Sequence, residues 1–363
     1  MMQTLTLFED VKLSKGYTRS ALIDIGRNTF YFIPNGLVKI IDRYNRKDNI
    51  DFLDNYKKKY IEEFKEWYDF LVSKDLVFEV TYSQIEYFEQ LSNSFDYPFD
   101  IQNITILLNN KNKEYIKKIF DEKFHAITRN VGIVVADEVS LDFLGSLIKT
   151  IHNEDFLVAV QLIVKEEMMS YGKILLEAIP NGFMNIRYSS IPIEKGYFET
   201  SAYKGQWVKL SPNMLLYNEI QHYHPYFNKK LFIGGEGEIK CAPESEEIHG
   251  FLKDIRTVEQ LRNIISSNSF QRYWNITKNK ICICKDCEMR NMCVDNRIPI
   301  MQYANGDWQC KGNCNYNPYV AKWADEDGYV PVEECGTYSK ETGFVPDKKK
   351  ITALNKQIWD EDE

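Results

Sequence analysis

Six of the eight cysteines stand between residues 282 and 314: Cys282, Cys284, Cys287, Cys293, Cys310 and Cys314. Cys241 and Cys335 lie outside this stretch. Scattered cysteines usually serve as small buried apolar groups, whereas closely spaced ones can act together. Two residues separate Cys284 from Cys287, and five separate Cys287 from Cys293. Two thiolates across a tight turn can face one ion or cluster, and later cysteines complete the shell. The spacing predicts metal or Fe–S ligation. The competing readings are a disulfide framework, which belongs to exported chains, and inert buried thiols.

Other candidate chemistry is sparse. His222 and His224 put two imidazoles on one face if the segment is extended, with Glu219 or Glu236 as further ligands. Surface or helix-capping histidines are the plainer reading. Gly234-Gly-Glu-Gly237 is not followed by Lys-Ser/Thr, so it reads as a hairpin turn and not a phosphate loop. Glu244, Glu246, Glu247 and the tail Asp360-Glu-Asp-Glu363 read as solvated charge.

The elements that must position the cysteines follow from periodicity. Ser20–Ile25 and Thr29–Ile33 are β-rich runs across Gly26-Arg-Asn28, a hairpin signal. Pro34 ends the second run, and Asn35 is placed to cap a helix carrying Leu37, Ile40, Ile41 and Tyr44. A longer helix follows, with Leu53, Tyr56, Tyr60, Phe64, Trp67 and Leu71 at helical spacing. Leu76–Val80 closes as a strand. From residue 104 onward, apolar runs alternate with amphipathic ones. Ile104–Leu108, Val131–Ala136, Phe156–Val164 and Asn185–Tyr188 read as strands; Lys113–Phe124, the segment after Ser140 and Glu166–Ala178 read as helices. Near-continuous apolar strands alternating with helices predict a parallel sheet with helix cover.

At 363 residues two or three domains are expected. With 44% hydrophobic and 27% charged residues, the composition is that of a folded chain. Aromatics at 14% suit large packed faces or peptide grooves, with plain core the simpler explanation. The net charge of −8 and the lack of a long basic block argue against nucleic acid as a partner. No apolar run is long enough for a membrane helix. Residues Met1–Asp10 lack the pattern of a signal peptide, so a cytoplasmic, reducing compartment is expected.

Cys284-x2-Cys287-x5-Cys293 followed by a distant cysteine resembles the second half of a SPASM domain, the Fe–S module of many radical-SAM peptide maturases. Cys284-Lys-Asp-Cys287-Glu-Met-Arg, Cys314-Asn-Tyr-Asn-Pro-Tyr319, Lys15-Gly-Tyr-Thr-Arg-Ser20 and Tyr31-Phe-Ile-Pro-Asn35 are similar to words of the SPASM-domain peptide maturase of the grasp-with-spasm system. Such proteins accompany an ATP-grasp ligase that crosslinks a ribosomally made peptide. The resemblance touches both ends of the chain and leaves about 90 to 220 uncovered. It implies one ligand set of Cys284, Cys287, Cys293 and Cys314, with Cys310 as an alternative fourth ligand, because the cysteines of a second site are missing. The group held is one [4Fe–4S] cluster or one Zn. No cysteine precedes Cys241, so the Cys-x3-Cys-x2-Cys of S-adenosylmethionine cleavage is absent and no S-adenosylmethionine is expected.

The expected architecture is α/β in three units. Residues 1–80 form a winged-helix-like peptide-recognition element, 81–225 a partial or degenerate (β/α) barrel, with an open doubly wound sheet as the alternative, and 226–363 a SPASM-like metal module. Recognition elements of this kind take a peptide as an added strand beside an aromatic helix face. Phe30 and Phe32 are expected as the floor of that groove, and Tyr60, Phe64 and Tyr68 as its walls. The expected function is an accessory maturation protein that binds a precursor peptide and cooperates with an ATP-grasp ligase. The alternatives are an Fe–S redox enzyme acting on the peptide and a Zn-stabilised structural or interaction protein.

Overall fold

The computed structural model describes residues 3–44, 61–81, 84, 87–88, 91–121, 127–136, 139–152, 159–165, 184–189 and 208–359. Among these the chain is mixed α/β, with seven α-helices and a seven-stranded mixed sheet.

The N-terminal part runs β1 (Gln3–Leu7), β2 (Val11–Ser14), β3 (Arg19–Asp24), β4 (Thr29–Pro34), α1 (Asn35–Tyr44), α2 (Ile61–Ser73) and β5 (Val77–Thr81). Strands β2, β3 and β4 form an antiparallel sheet with β3 central. Strands β1 and β5 pair separately. Alternation along β3 and β4 sends side chains to both faces. Leu22, Tyr31 and Ile33 pack with Leu37, Val38, Ile41 and Leu71 of the helices. Ala21, Ile23, Phe30 and Phe32 point the other way, to the cysteine-rich region. The hairpin is therefore covered on both faces. Asn35, expected as a helix cap, has another task. Its amide donates to the carbonyls of Gly16 and Tyr17 and accepts from Ser20 Oγ, so it ties down the preceding loop.

The large sheet begins with β6 (Asn103–Leu108), α3 (Lys113–Asp121), β7 (Asn130–Val135), α4 (Leu141–His152), β8 (Ala159–Lys165) and β9 (Met184–Ser189). The four strands are parallel and adjacent in chain order. Their alternate apolar residues, such as Ile104, Ile106, Val131, Ile133, Val160 and Leu162, share one core with Ile116, Phe120, Leu144, Leu147 and Ile148 of the two helices. The expected helix at Glu166–Ala178 lies outside the described residues.

After β10 (Val208–Leu210) and α5 (Met214–His222), β11 (Lys230–Ile233) joins β6 in parallel. β12 (Glu238–Lys240) and β13 (Gly250–Phe251) then extend that edge antiparallel. The sheet thus runs across the expected boundary at 225 and 226. Gly234–Gly237 is the turn between β11 and β12, with Gly237 at φ +81°. Then come α6 (Val258–Ile265), β14 (Cys293–Asp295), β15 (Pro299–Gln302), β16 (Trp308–Cys310), β17 (Tyr316–Asn317), β18 (Lys322–Trp323), β19 (Gly336–Ser339), β20 (Gly343–Pro346) and α7 (Lys348–Trp359). Beyond the large sheet, the strands of this region pair as two-stranded ribbons. Small ribbons bury little apolar area, so the polar contacts below carry more of its definition. No helix among the described residues is long and apolar enough to cross a membrane.

Candidate functional site

All eight cysteines are unpaired. Cys284, Cys287, Cys293 and Cys314 line one small cavity, together with Lys278, Met289, Arg297, Tyr316 and Trp323. Cys310 does not line it; it is buried in the main core. Cys282 and Cys335 lie in another cluster with Tyr303, Tyr319 and Phe344, and Cys241 lies in the core of the large sheet. The four thiols that the resemblance implies as one set share this cavity. Among the described residues, no group of three His, Cys, Asp or Glu side chains is gathered as a metal ion would need.

A strained turn aims the first two cysteines of the cluster apart. Ile283 has φ 69° and ψ −47°, and the Cys284 amide donates to the Cys282 carbonyl at 2.8 Å. This is the positive-φ γ-turn, unfavourable for a β-branched residue. It places Cys282 in one hydrophobic cluster and leaves Cys284 against the cavity. The short helical turn Cys284–Asp286 then brings Cys287 to the same cavity. Burial raises the pKa of Cys287, Cys293 and Cys314, and neighbouring thiols raise it further. Burial therefore favours the protonated form of these thiols.

The N-terminal sheet packs on the hydrophobic cluster that two of these thiols join. Phe30 and Phe32 pack in the same cluster as Cys287, Cys314, Met289 and Tyr316. The Arg19 guanidinium lies 3.6 Å from the Phe32 ring centroid. Its Nε donates to Glu288 Oε1 at 2.8 Å, and its Nη2 to Tyr316 Oη at 3.2 Å. Tyr316 Oη in turn donates to Glu288. The Tyr17 amide donates to the Asp286 carbonyl at 2.8 Å, Thr18 Oγ1 to the Tyr319 carbonyl at 2.6 Å, and Tyr319 Oη to Asp286 Oδ2 at 2.7 Å. Gly16 has no room for a side chain, since a Cβ there would stand 2.3 Å from the Arg19 carbonyl and 2.8 Å from the Glu288 amide nitrogen. Three words far apart in sequence, around 15–20, 284–290 and 314–319, thus form one hydrogen-bonded network.

The expected groove residues do not all meet. Phe30 and Phe32 pack on the cluster that Cys287 and Cys314 join, whereas Tyr68 packs with the cluster on the opposite face of the N-terminal sheet. Tyr60 and the Phe64 side chain lie outside the described residues. Strand β4 pairs only with β3 among the described residues, so it is an edge strand. The histidine pair also separates. His222 is exposed and meets the Asn93 carbonyl at 2.8 Å, while His224 is wholly buried beside Phe227. Glu219 is engaged by Asn228, and Glu236 by Lys111.

Sequence reasoning missed two features. One is the buried set Lys278, Asp295 and Arg297 beside the thiols. Arg297 holds Asp295 through Nε at 3.1 Å and reaches Cys284 Sγ through Nη2 at 3.1 Å. A buried charge set has no local spacing rule, so only its nearness to the cysteines in sequence hinted at it. The other is a cleft of about 580 Å³ on the large sheet. There Phe232, Thr105, Gly132, Gln161 and Asn185 stand in register across five strands. No protein-family model, curated protein or solved structure matches this chain.

Proposed function

We propose that this chain is an accessory protein of ribosomal-peptide maturation that holds one [4Fe–4S] cluster on Cys284, Cys287, Cys293 and Cys314. In this reading it binds a precursor peptide through its N-terminal part and works beside an ATP-grasp ligase, without cleaving S-adenosylmethionine. The observation that carries it is the cavity lined by the four thiols, beside which the 15–20, 284–290 and 314–319 words are joined in one hydrogen-bonded network. The four parallel strands in chain order, with α3 and α4 packed on one face, support a partial (β/α) barrel over a doubly wound sheet. The absence of cysteine from 1–240 supports the lack of S-adenosylmethionine chemistry.

In this reading the group held is a cluster and not a single Zn. Four thiols around a shared space suit a polynuclear cluster, which spreads its ligands. When bound, it supplies a crosslink between chain segments and a one-electron centre. The remaining side chains exclude water: Met289, Trp323 and Tyr316 wall the cavity, and Phe30 and Phe32 pack in the cluster that Cys287 and Cys314 join.

The test is iron and acid-labile sulfide in the anaerobically purified full chain. About four of each per chain are expected. A load of about one Zn and no iron would move the reading to a Zn-stabilised protein. Peptide recognition is tested separately by titrating the full chain with the leader segment of a precursor peptide. Micromolar binding that is lost in Phe64→Ala, with unchanged circular dichroism, supports it. No binding by the full chain removes it.

A further inference from the structure

The buried cations beside the thiols lack a full complement of negative charge. Lys278 and Asp295 are each 1% exposed in their side chains, and Arg297 is 5% exposed. Lys278 Nζ is ion-paired with Asp295 Oδ2. Arg297 holds the same carboxylate with Nε and Nη2, at 3.1 and 3.2 Å. Two cations against one carboxylate leave one positive charge unbalanced, and neither cation has a second carboxylate partner among the described residues. Burying an uncompensated charge is strongly unfavourable, so structures that do so supply a counter-charge. Both cations line the thiol cavity, and Arg297 Nη2 already points a donor at Cys284 Sγ at 3.1 Å.

We propose that Lys278, Asp295 and Arg297 are the built-in counter-charge of an anionic thiolate-held cluster, and that the Arg297-to-Cys284 hydrogen bond raises the cluster's reduction potential. This rests on the cluster reading above. A cluster held by four thiolates is a net anion in both of its oxidation states and gains negative charge on reduction. A fixed positive charge and an N–H donor to sulfur therefore favour the reduced form, because net charge and hydrogen bonds to sulfur set such potentials. Asp295 opposes that effect and fixes the geometry, since it holds both cations through its two oxygens.

The arrangement makes a prediction in which neighbouring substitutions act with opposite sign. Full-length protein with its cluster is titrated anaerobically with dithionite, which gives one electron to each cluster, and followed by visible absorbance. Arg297→Met removes a positive charge and the donor, so the midpoint falls. Asp295→Asn removes a negative charge, so the midpoint rises. A shift of about 59 mV, a tenfold change in the reduced-to-oxidised ratio at fixed potential, is the expected scale. Arg297→Lys keeps the charge but not the planar fork and falls between wild type and Arg297→Met; it decides the matter if the other two variants do not fold. Unchanged midpoints, or shifts of one sign in both neutralising variants, overturn the inference and leave the cluster reading intact. A wild-type chain that takes up no iron overturns both.

Discussion

Arg19 Nε donates to Glu288 Oε1 at 2.8 Å across 269 residues of chain, and the Glu288 side chain is wholly buried. This pair joins the N-terminal sheet to the segment that carries Cys287. Tyr316, from the far end of the cysteine region, completes it by donating to the same carboxylate. Removing one partner of a buried pair costs more than the pair itself contributes, because the other charge is stranded. Arg19→Ala is expected to cost about 2–4 kcal/mol, at or below the range for fully buried pairs because Arg19 partly reaches solvent. Urea unfolding followed by circular dichroism measures it; a midpoint within error of wild type would show that the pair is idle.

Gly16 is the tightest point of that interface. A Cβ would collide with the Arg19 carbonyl and with the backbone and Cβ of Glu288, and backbone cannot swing aside as a long side chain can. Gly16→Ala should destabilise by about 1–3 kcal/mol, the usual cost of overpacking. Its N-terminal part should also be released faster in limited proteolysis. Unaltered cleavage would mean that the loop 15–20 shifts freely.

The choice of fourth ligand is open to a direct comparison. Cys314 lines the cavity and Cys310 does not. Cys314→Ser should lose most of its iron, and Cys310→Ser should keep it, as read by iron and sulfide content of anaerobically purified protein. The reverse pattern would assign Cys310 as the ligand.

His224 makes stability depend on pH. Burial, reinforced by the charges of Lys278 and Arg297, holds its imidazole pKa well below the ordinary value. The unfolded chain has an ordinary histidine with a pKa of about 6.5. Below that pH the unfolded state binds a proton that the folded state refuses, so stability falls as pH drops, by up to about 1.4 kcal/mol per unit. His224→Gln should flatten the decline between about pH 6.5 and about pH 5. It should not abolish it, because His249 is depressed by burial in the same direction. An identical pH profile in the variant would place the acid sensitivity elsewhere.

Much of the fold was legible because it rests on local periodicity. The hairpin of β3 and β4, the four parallel strands, and the helices after Asn112 and Ser140 fall where the spacing of apolar residues puts them. Spacing drew attention to Cys284, Cys287 and Cys293 but left the fourth cysteine open; the resemblance implied Cys314, and these four line one cavity. Other features depend on contacts between distant segments, and no local pattern encodes those. Alternation along β4 determined that Phe30 and Phe32 share a face, but only the packed structure decided that this face meets the thiols and not the helices. Asn35 was a plausible cap by type, yet the loop at 16–17 offers its amide two carbonyls. The parallel pairing of β11 with β6 joins residues more than a hundred positions apart, and the buried Lys278–Asp295–Arg297 set is visible only once tertiary packing removes water from all three. Sequence thus determined which elements form. Tertiary structure decided which faces are covered and which charges are left to be balanced, because burial and long-range contact are properties of the assembled chain.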